Sequence, residues 1–232
     1  MGSEGLERLN NRGIGEYRYR RMGEYRVEEC VAGIVLCGGE GRRMGRSKAL
    51  LPFGPETLLV RVVRRLGEAL CTVIVVAAAD QALPPLPDGT LVARDRRPGR
   101  GPLEGIAAGL RALEGREVAF VAACDLPLLV PAFVRRMVEL SEGHDIAVPQ
   151  VGGHAEPLAA VYRAGVLSQI EALLAAGRLR PAYLFDAVRT RFVSPQELAD
   201  VDPQMTSLMN INTPEDYRRA LARAGFAAEP SP

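Results

Sequence analysis

The sequence predicts a three-layer, Rossmann-like α/β architecture built on a mainly parallel, twisted sheet, and three observations predict it. From Val31 onward, short apolar and β-branched runs alternate with stretches of helical periodicity, the order in which strands and covering helices follow one another in a parallel sheet. The runs are apolar throughout rather than alternating, as strands covered on both faces must be. Glycines cluster directly after the first run, at Gly38, Gly39 and Gly41, where open sheets of this kind bind ligands.

Residues 1–29 come before this pattern. They are rich in Arg, Glu and Gly and carry Gly-Glu-Tyr-Arg twice, at Gly15 and Gly23. So few apolar side chains cannot offset the entropy of ordering, which predicts a flexible segment and leaves Met22 as an alternative start. A single domain then spans 30–228. Val31 to Cys37 reads as a buried strand, and Leu58 to Leu70 as an amphipathic helix with Arg61, Arg64 and Arg65 on its wet side. Thr72 to Ala78 and Thr90 to Ala93 are further strands. Leu103 to Leu113 is a helix closed by Gly115, and Val118 to Ala123 the next strand. A helix from Ala132 to Leu140 leads to a strand at Ile146 to Pro149. Gly152 and Gly153 make a turn, Leu158 to Tyr162 is strand-like, and Val166 to Leu174 is helical; the acceptor-facing lobe is expected within about 150–208. Thr213 caps a final helix, with Pro214 in its first turn and Glu215 and Asp216 against the positive dipole end.

Composition excludes several classes. The chain has 232 residues and a formal net charge of +1, so no basic excess argues for nucleic acid. The strongest apolar stretch, Val118 to Val134, is broken by Asp125, Pro127 and Pro131 too early to span a bilayer. Neither nucleic acid nor a membrane is an expected partner. The cysteines, Cys30, Cys37, Cys71 and Cys124, show no CxxC spacing and read as reduced core thiols, which fits a cytoplasmic setting. With only His144 and His154 and no His/Cys cluster, a zinc site has no ligand set.

The chemistry concentrates in Leu36-Cys37-Gly38-Gly39-Glu40-Gly41-Arg42-Arg43-Met44-Gly45-Arg46-Ser47-Lys48. Glycines let backbone N–H groups approach an anion, and Arg42, Arg43 and Lys48 supply charge for a triphosphate. The spacing fits neither GxGxxG nor the P-loop, whose lysine follows its last glycine directly. Asp125 sits in Cys124-Asp125-Leu126-Pro127 at the end of a buried strand. A lone carboxylate there suffices for magnesium, which takes one or two carboxylates plus substrate oxygens. The plainer reading of Asp125 is a cap on the Pro127 turn, and that of Asp95, between Arg94 and Arg96, is a surface ion pair. Asn210 and Asn212 suit either a site or turn hydrogen bonds before Thr213. His154 is also an ordinary loop residue.

The glycine-rich block, together with Asp95, Gly101-Pro102-Leu103-Glu104-Gly105 and Asn210-Ile211-Asn212-Thr213-Pro214-Glu215-Asp216, resembles the molybdenum cofactor guanylyltransferases of the NTP transferase superfamily. The resemblance covers the chain from Val31 to the C-terminal helix. It implies the nucleotidyltransferase fold, Mg2+ as cofactor, and GTP and molybdopterin as substrates. Molybdoenzymes that accept the product, or their chaperones, would be further partners. On this resemblance Leu36, Cys37, Gly38 and Gly39 lie against the nucleotide with Arg43. Lys48 and Arg42 act on the phosphates, Asp95 faces the guanosine, and Asp125 holds the metal and contacts the nucleotide. Asn210, Asn212, His154 and Pro157 face the acceptor. Relatives that use CTP tend to carry Asp where this chain has Asn210 and Asn212. The family often places an Asn after the second strand, where this chain reads Ala77-Ala78-Ala79-Asp80. A sister transferase using CTP or a sugar-phosphate acceptor, and a non-catalytic NTP-binding or cofactor-carrier protein, remain as alternative readings.

Overall fold

A computed structural model describes residues 6–7, 30–37, 47–95 and 99–227. The apolar runs assemble into one mixed sheet. Strands β2 (Ala32–Leu36), β5 (Thr72–Ala78), β6 (Leu91–Asp95) and β7 (Val118–Ala123) lie in the order β6-β5-β2-β7, all parallel. Ile34 pairs with Ile74 on one side and Val121 on the other, so β2 is central and buried along its length. Beyond β7 the direction reverses: β10 (Ala159–Arg163) is antiparallel to both β7 and β8 (Ile146–Val151). The short β9 (His154–Ala155) folds back on β8 across the Gly152-Gly153 turn, and β11 (Thr190–Val193) closes this edge parallel to β8. The expected acceptor-facing stretch, 150–208, is thus woven into the main sheet through β10.

Alternate side chains of each strand enter two different cores. Val35, Val73, Val75, Phe120 and Ala122 meet helices α1 (Leu58–Gly67) and α3 (Pro131–Leu140); Ile34, Ile74, Val76 and Val121 meet α2 (Pro102–Arg111), α4 (Leu167–Ala175) and α5 (Ala182–Phe185). This is the predicted three-layer sandwich. Thr57 opens α1, its hydroxyl accepting from the Val60 N–H. Helix α2 sits close to the sheet because it carries glycine: a Cβ at Gly109 would come within 2.5 Å of Ile34 Cγ2. Gly101, at φ +76°, gives the chain the left-handed turn that starts α2, with Pro102 in its first turn.

A third, smaller core joins the hairpin of β3 (Pro52–Phe53) and β4 (Glu56–Thr57) to the last helix, α6 (Pro214–Arg223), through Phe53, Leu58, Ile211, Ala220 and Leu221. Thr213 caps α6 as predicted, its hydroxyl accepting from the Asp216 N–H while the Asp216 carboxylate accepts from the Thr213 N–H.

Two findings depart from the sequence expectations. Leu6–Glu7, within the segment expected to be flexible, forms β1, pairing antiparallel with β6; the rest of 1–29 lies outside the described residues. The reading of all cysteines as reduced thiols is corrected at Cys30 and Cys71, which form a disulfide. They precede β2 and β5, whose register sets Ala32 beside Thr72, so the strand pairing itself brings the two sulfurs together. Cys37 and Cys124 are free and buried as expected. No helix of the described residues is long and apolar enough to cross a membrane.

Candidate active site

The carboxyl ends of β2 and β7 lie side by side, with the Cys124 N–H bonded to the Leu36 carbonyl at 3.0 Å. Asp125 follows at once, half-buried. From the other side a short 3-10 turn, Lys48–Leu50, presents Lys48. Its Nζ donates to Asp125 Oδ2 at 2.7 Å and to Asn212 Oδ1 at 2.8 Å. Three segments far apart in sequence therefore converge on one ammonium group. Both side chains of the ion pair are about one-fifth exposed, at 22% and 17%, shielded enough that the pair is stronger than a surface one. Asp125 Oδ1 is buried and has no hydrogen-bond partner among the described residues. An unmatched carboxylate oxygen is costly unless a cation or donor meets it, so Asp125 fits a magnesium ligand.

A cleft of about 220 Å³ opens beside this cluster, its walls including Asp125, Glu156, Pro157, Leu208, Asn210 and Asn212. This is less than a typical ligand site of roughly 300–1,000 Å³, and suits one end of a longer substrate. A hollow of about 250 Å³ between α2 and α4 is lined by the Arg111–Glu171 ion pair with Leu174 and Ala175. It lies away from the strand ends and brings no convergent reactive groups together.

The turn carrying Glu156 is held from several sides. The Glu156 N–H donates to the Pro149 carbonyl at 2.9 Å, the Leu158 carbonyl accepts from Ala123 at 3.0 Å, and the buried Tyr162 hydroxyl donates to the Pro157 carbonyl at 2.9 Å. Burial pushes the Glu156 carboxyl above its ordinary range, partly opposed by His154. Glu156 was not singled out from sequence, although it lies within His154 to Tyr162, the segment that the family resemblance sets near the acceptor; a charged residue beside proline between two strands was the further signal.

The other expected residues divide plainly. Lys48, Asp125, Asn210, Asn212 and Pro157 come together. His154 does not: it is exposed on β9, its Nδ1 3.1 Å from the Gly152 carbonyl, and is not part of the cleft wall. Asp95 ends β6 beside Ala78, three strand spacings or roughly 14 Å from the end of β7, and so is not brought together with the Lys48 cluster. Cys37 holds position instead of offering a free donor. Its N–H is bonded to the Val76 carbonyl at 3.0 Å, its carbonyl accepts from Gln81 Nε2 at 2.8 Å, and burial pushes its thiol up to about 12 despite the nearby Arg94. Leu36 likewise spends its carbonyl on Cys124. Gly38, Gly39, Arg42 and Arg43 lie outside the described residues. Gln81 also escaped the sequence reading, although an amide just past a strand's carboxyl end is where such sheets build sites.

Comparison with known proteins bears on the same region. The family model for a MobA-like NTP transferase domain matches residues 33–189. A probable molybdenum cofactor guanylyltransferase of Pelotomaculum thermopropionicum is 39% identical over 196 residues, covering 84% of this chain and 93% of the relative. The molybdenum cofactor guanylyltransferase of Desulfosudis oleivorans is 37% identical, covering 84% and 96%. Among solved structures, molybdopterin-guanine dinucleotide biosynthesis protein A of Archaeoglobus fulgidus superimposes with a TM-score of 0.71 at 23% identity, over 84% of this chain and 99% of that one. The 2-C-methyl-D-erythritol 4-phosphate cytidylyltransferase of Thermus thermophilus gives 0.64 at 20% identity, over 85% and 99%. Both share the fold.

Proposed function

Since the chain belongs to the MobA-like NTP transferase family, we propose that it transfers the GMP part of GTP to the terminal phosphate of molybdopterin, giving molybdopterin guanine dinucleotide and pyrophosphate. The observation that carries this reading is the convergence of Lys48, Asp125 and Asn212 at the head of the cleft. Nucleotidyl transfer asks little covalent help of a protein. It needs the attacking phosphate oxygen aligned opposite the leaving pyrophosphate, and charge stabilised at the α-phosphate.

Lys48 keeps one of its three N–H donors after bonding Asp125 and Asn212, and that donor serves a phosphate oxygen. Asp125 and Asn212 fix where the ammonium points, which lowers the cost of ordering a long side chain. Asp125 would hold the magnesium ion through Oδ1, the oxygen left without a partner. When bound, the ion supplies Lewis-acid neutralisation of the triphosphate. The cleft wall of Pro157, Leu208 and Asn210 orients the acceptor and excludes water. No general base is required, since the acceptor phosphate is already ionised at neutral pH. A cytoplasmic setting is proposed on the supply of GTP and magnesium alone, because the Cys30–Cys71 disulfide withdraws the support that reduced thiols would have given it.

The test is pyrophosphate release from each NTP in turn with molybdopterin as acceptor. GTP is expected to exceed CTP by at least tenfold in kcat/KM, a difference of about 1.4 kcal/mol in transition-state binding. Equal use of both would make the chain a cytidylyl-type sister. No release with any NTP, with binding intact, would make it a carrier.

A further inference from the structure

Gln81 stands just beyond the carboxyl end of β5, and its carboxamide meets three separate pieces of backbone and side chain. Nε2 donates to the Cys37 carbonyl at 2.8 Å and approaches Ser47 Oγ at 3.4 Å, while Oε1 accepts from the Ala78 N–H at 3.2 Å. The amide's orientation is dictated, because the Cys37 carbonyl can only accept and the Ala78 N–H can only donate. Its own backbone is held too: Arg94 donates to the Gln81 carbonyl at 2.9 Å and to the Ala78 carbonyl at 3.1 Å. Cys37 and Ser47 are the residues that flank the glycine-rich stretch 38–46, and Ser47 directly precedes Lys48.

From this we infer that Gln81 is a positioning residue for the nucleotide. It clasps the end of β2 to the approach to Lys48, and it ties both to the tip of β5. The chemistry requires a side chain that offers a donor and an acceptor at one end, with the reach of glutamine. Glutamate would set a carboxylate oxygen against the Cys37 carbonyl, and alanine would leave the Cys37 carbonyl and the Ala78 N–H without a partner. Gln81 is not among the residues lining the cleft beside Asp125, so its effect is expected on one substrate only. The inference rests on the nucleotidyltransferase reading of the site.

The experiment compares wild type, Gln81→Ala and Gln81→Glu by direct titration with Mg-GTP, followed by kinetics with molybdopterin. Both variants are expected to weaken GTP binding and to raise its KM about tenfold. The KM for the acceptor should stay near wild type, while the melting temperature drops by roughly 2–4 °C in both variants, since the buried Cys37 carbonyl loses its donor. Gln81→Glu keeps the acceptor for Ala78 and loses the donor to Cys37, so near-wild-type GTP binding by this variant would overturn the clasp. So would an equal loss toward both substrates, or a fall in melting temperature that accounts for the loss of activity. Failure of wild type to turn over molybdopterin would count against the proposed function alone, because the binding isotherms still judge Gln81.

Discussion

The Ile211 N–H donates to the Asp125 carbonyl across 3.1 Å. This single bond joins the strand-end loop carrying the Asp125 carboxylate to the extended segment carrying Asn210 and Asn212. The Ile211 side chain is itself buried against Phe53, Leu58 and helix α6. The packing of the last helix thus sets where Asn212 meets Lys48, and the Lys48–Asp125–Asn212 cluster depends on the small core under α6.

Lys48→Ala tests the phosphate role. Lys48 bonds Asp125 and Asn212, and the phosphate contact proposed for its remaining donor carries no base information. The variant is expected to lose two or more orders of magnitude in kcat/KM, about 3 kcal/mol, and to lose it equally with GTP and CTP. Stability should fall by about 1–2 kcal/mol, since Asp125 Oδ2 and Asn212 Oδ1 both lose their donor. A changed GTP-to-CTP ratio would show that Lys48 reads more than phosphate.

Thiol chemistry tests the cysteine correction. Burial raises the pKa of both free thiols, Cys37 to about 12 and Cys124 well above its usual value, so neither forms thiolate at neutral pH. Cys30 and Cys71 are paired. Alkylation of folded, air-exposed protein at pH 8 should modify nothing. After mild reduction it should reach Cys30 and Cys71, and only after unfolding Cys37 and Cys124. Peptide mass mapping reads this directly. Immediate labelling of Cys71 would mean that the pair is open, whereas labelling of Cys37 in the folded state would contradict its burial.

Much of this was legible where chemistry and local sequence coincide. Asp125 stands out because a carboxylate directly after an apolar strand has few bland explanations, and Thr213 because a cap, a proline and two acids in series specify a helix start. What stayed hidden depends on register and long loops. Gln81 meets Cys37 across 44 residues and Asn212 meets Lys48 across 164, and no local pattern announces such meetings. Cys30 and Cys71 are joined only because β2 and β5 pair in one register. The four residues of β11 around Arg191 and Phe192 carry too little periodicity to be read as a strand beside the longer runs.

Glu156 gives a prediction with a sign. Its folded pKa lies above the ordinary 4.5 because burial disfavours the charged form. The native state therefore binds the proton more tightly than the unfolded chain. The stability this contributes is present below about 4.5 and is lost as pH rises through the folded value. Glu156→Gln should melt with wild type near pH 4 and about 1 °C higher at pH 8, the effect being small because the group is half in water. If the variant melts lower than wild type at pH 8, the carboxylate is stabilising the fold and this account of it is wrong.

Asp125→Asn tests the mechanism at its centre. The carboxylate divides its oxygens: Oδ2 accepts from Lys48 at 2.7 Å, and Oδ1 is buried without a partner among the described residues. Asparagine can keep its oxygen on Lys48 and turn its amide toward the Oδ1 position, preserving volume and the Lys48 contact while removing the charge. The loop is held independently through the Ile211 N–H and the Asp125 carbonyl, which the substitution leaves alone. The melting temperature should therefore change little. Turnover should fall by two or more orders of magnitude, about 3 kcal/mol of transition-state stabilisation, and the remaining activity should need more magnesium. A residue that merely caps the Pro127 turn would behave otherwise, since asparagine caps nearly as well as aspartate. The measurement is turnover against magnesium concentration, with a melting curve for each protein. A folded Asp125→Asn variant that works at wild-type magnesium levels would remove Asp125 as the metal ligand and leave Lys48 as the sole charged group of the described site acting on the phosphates.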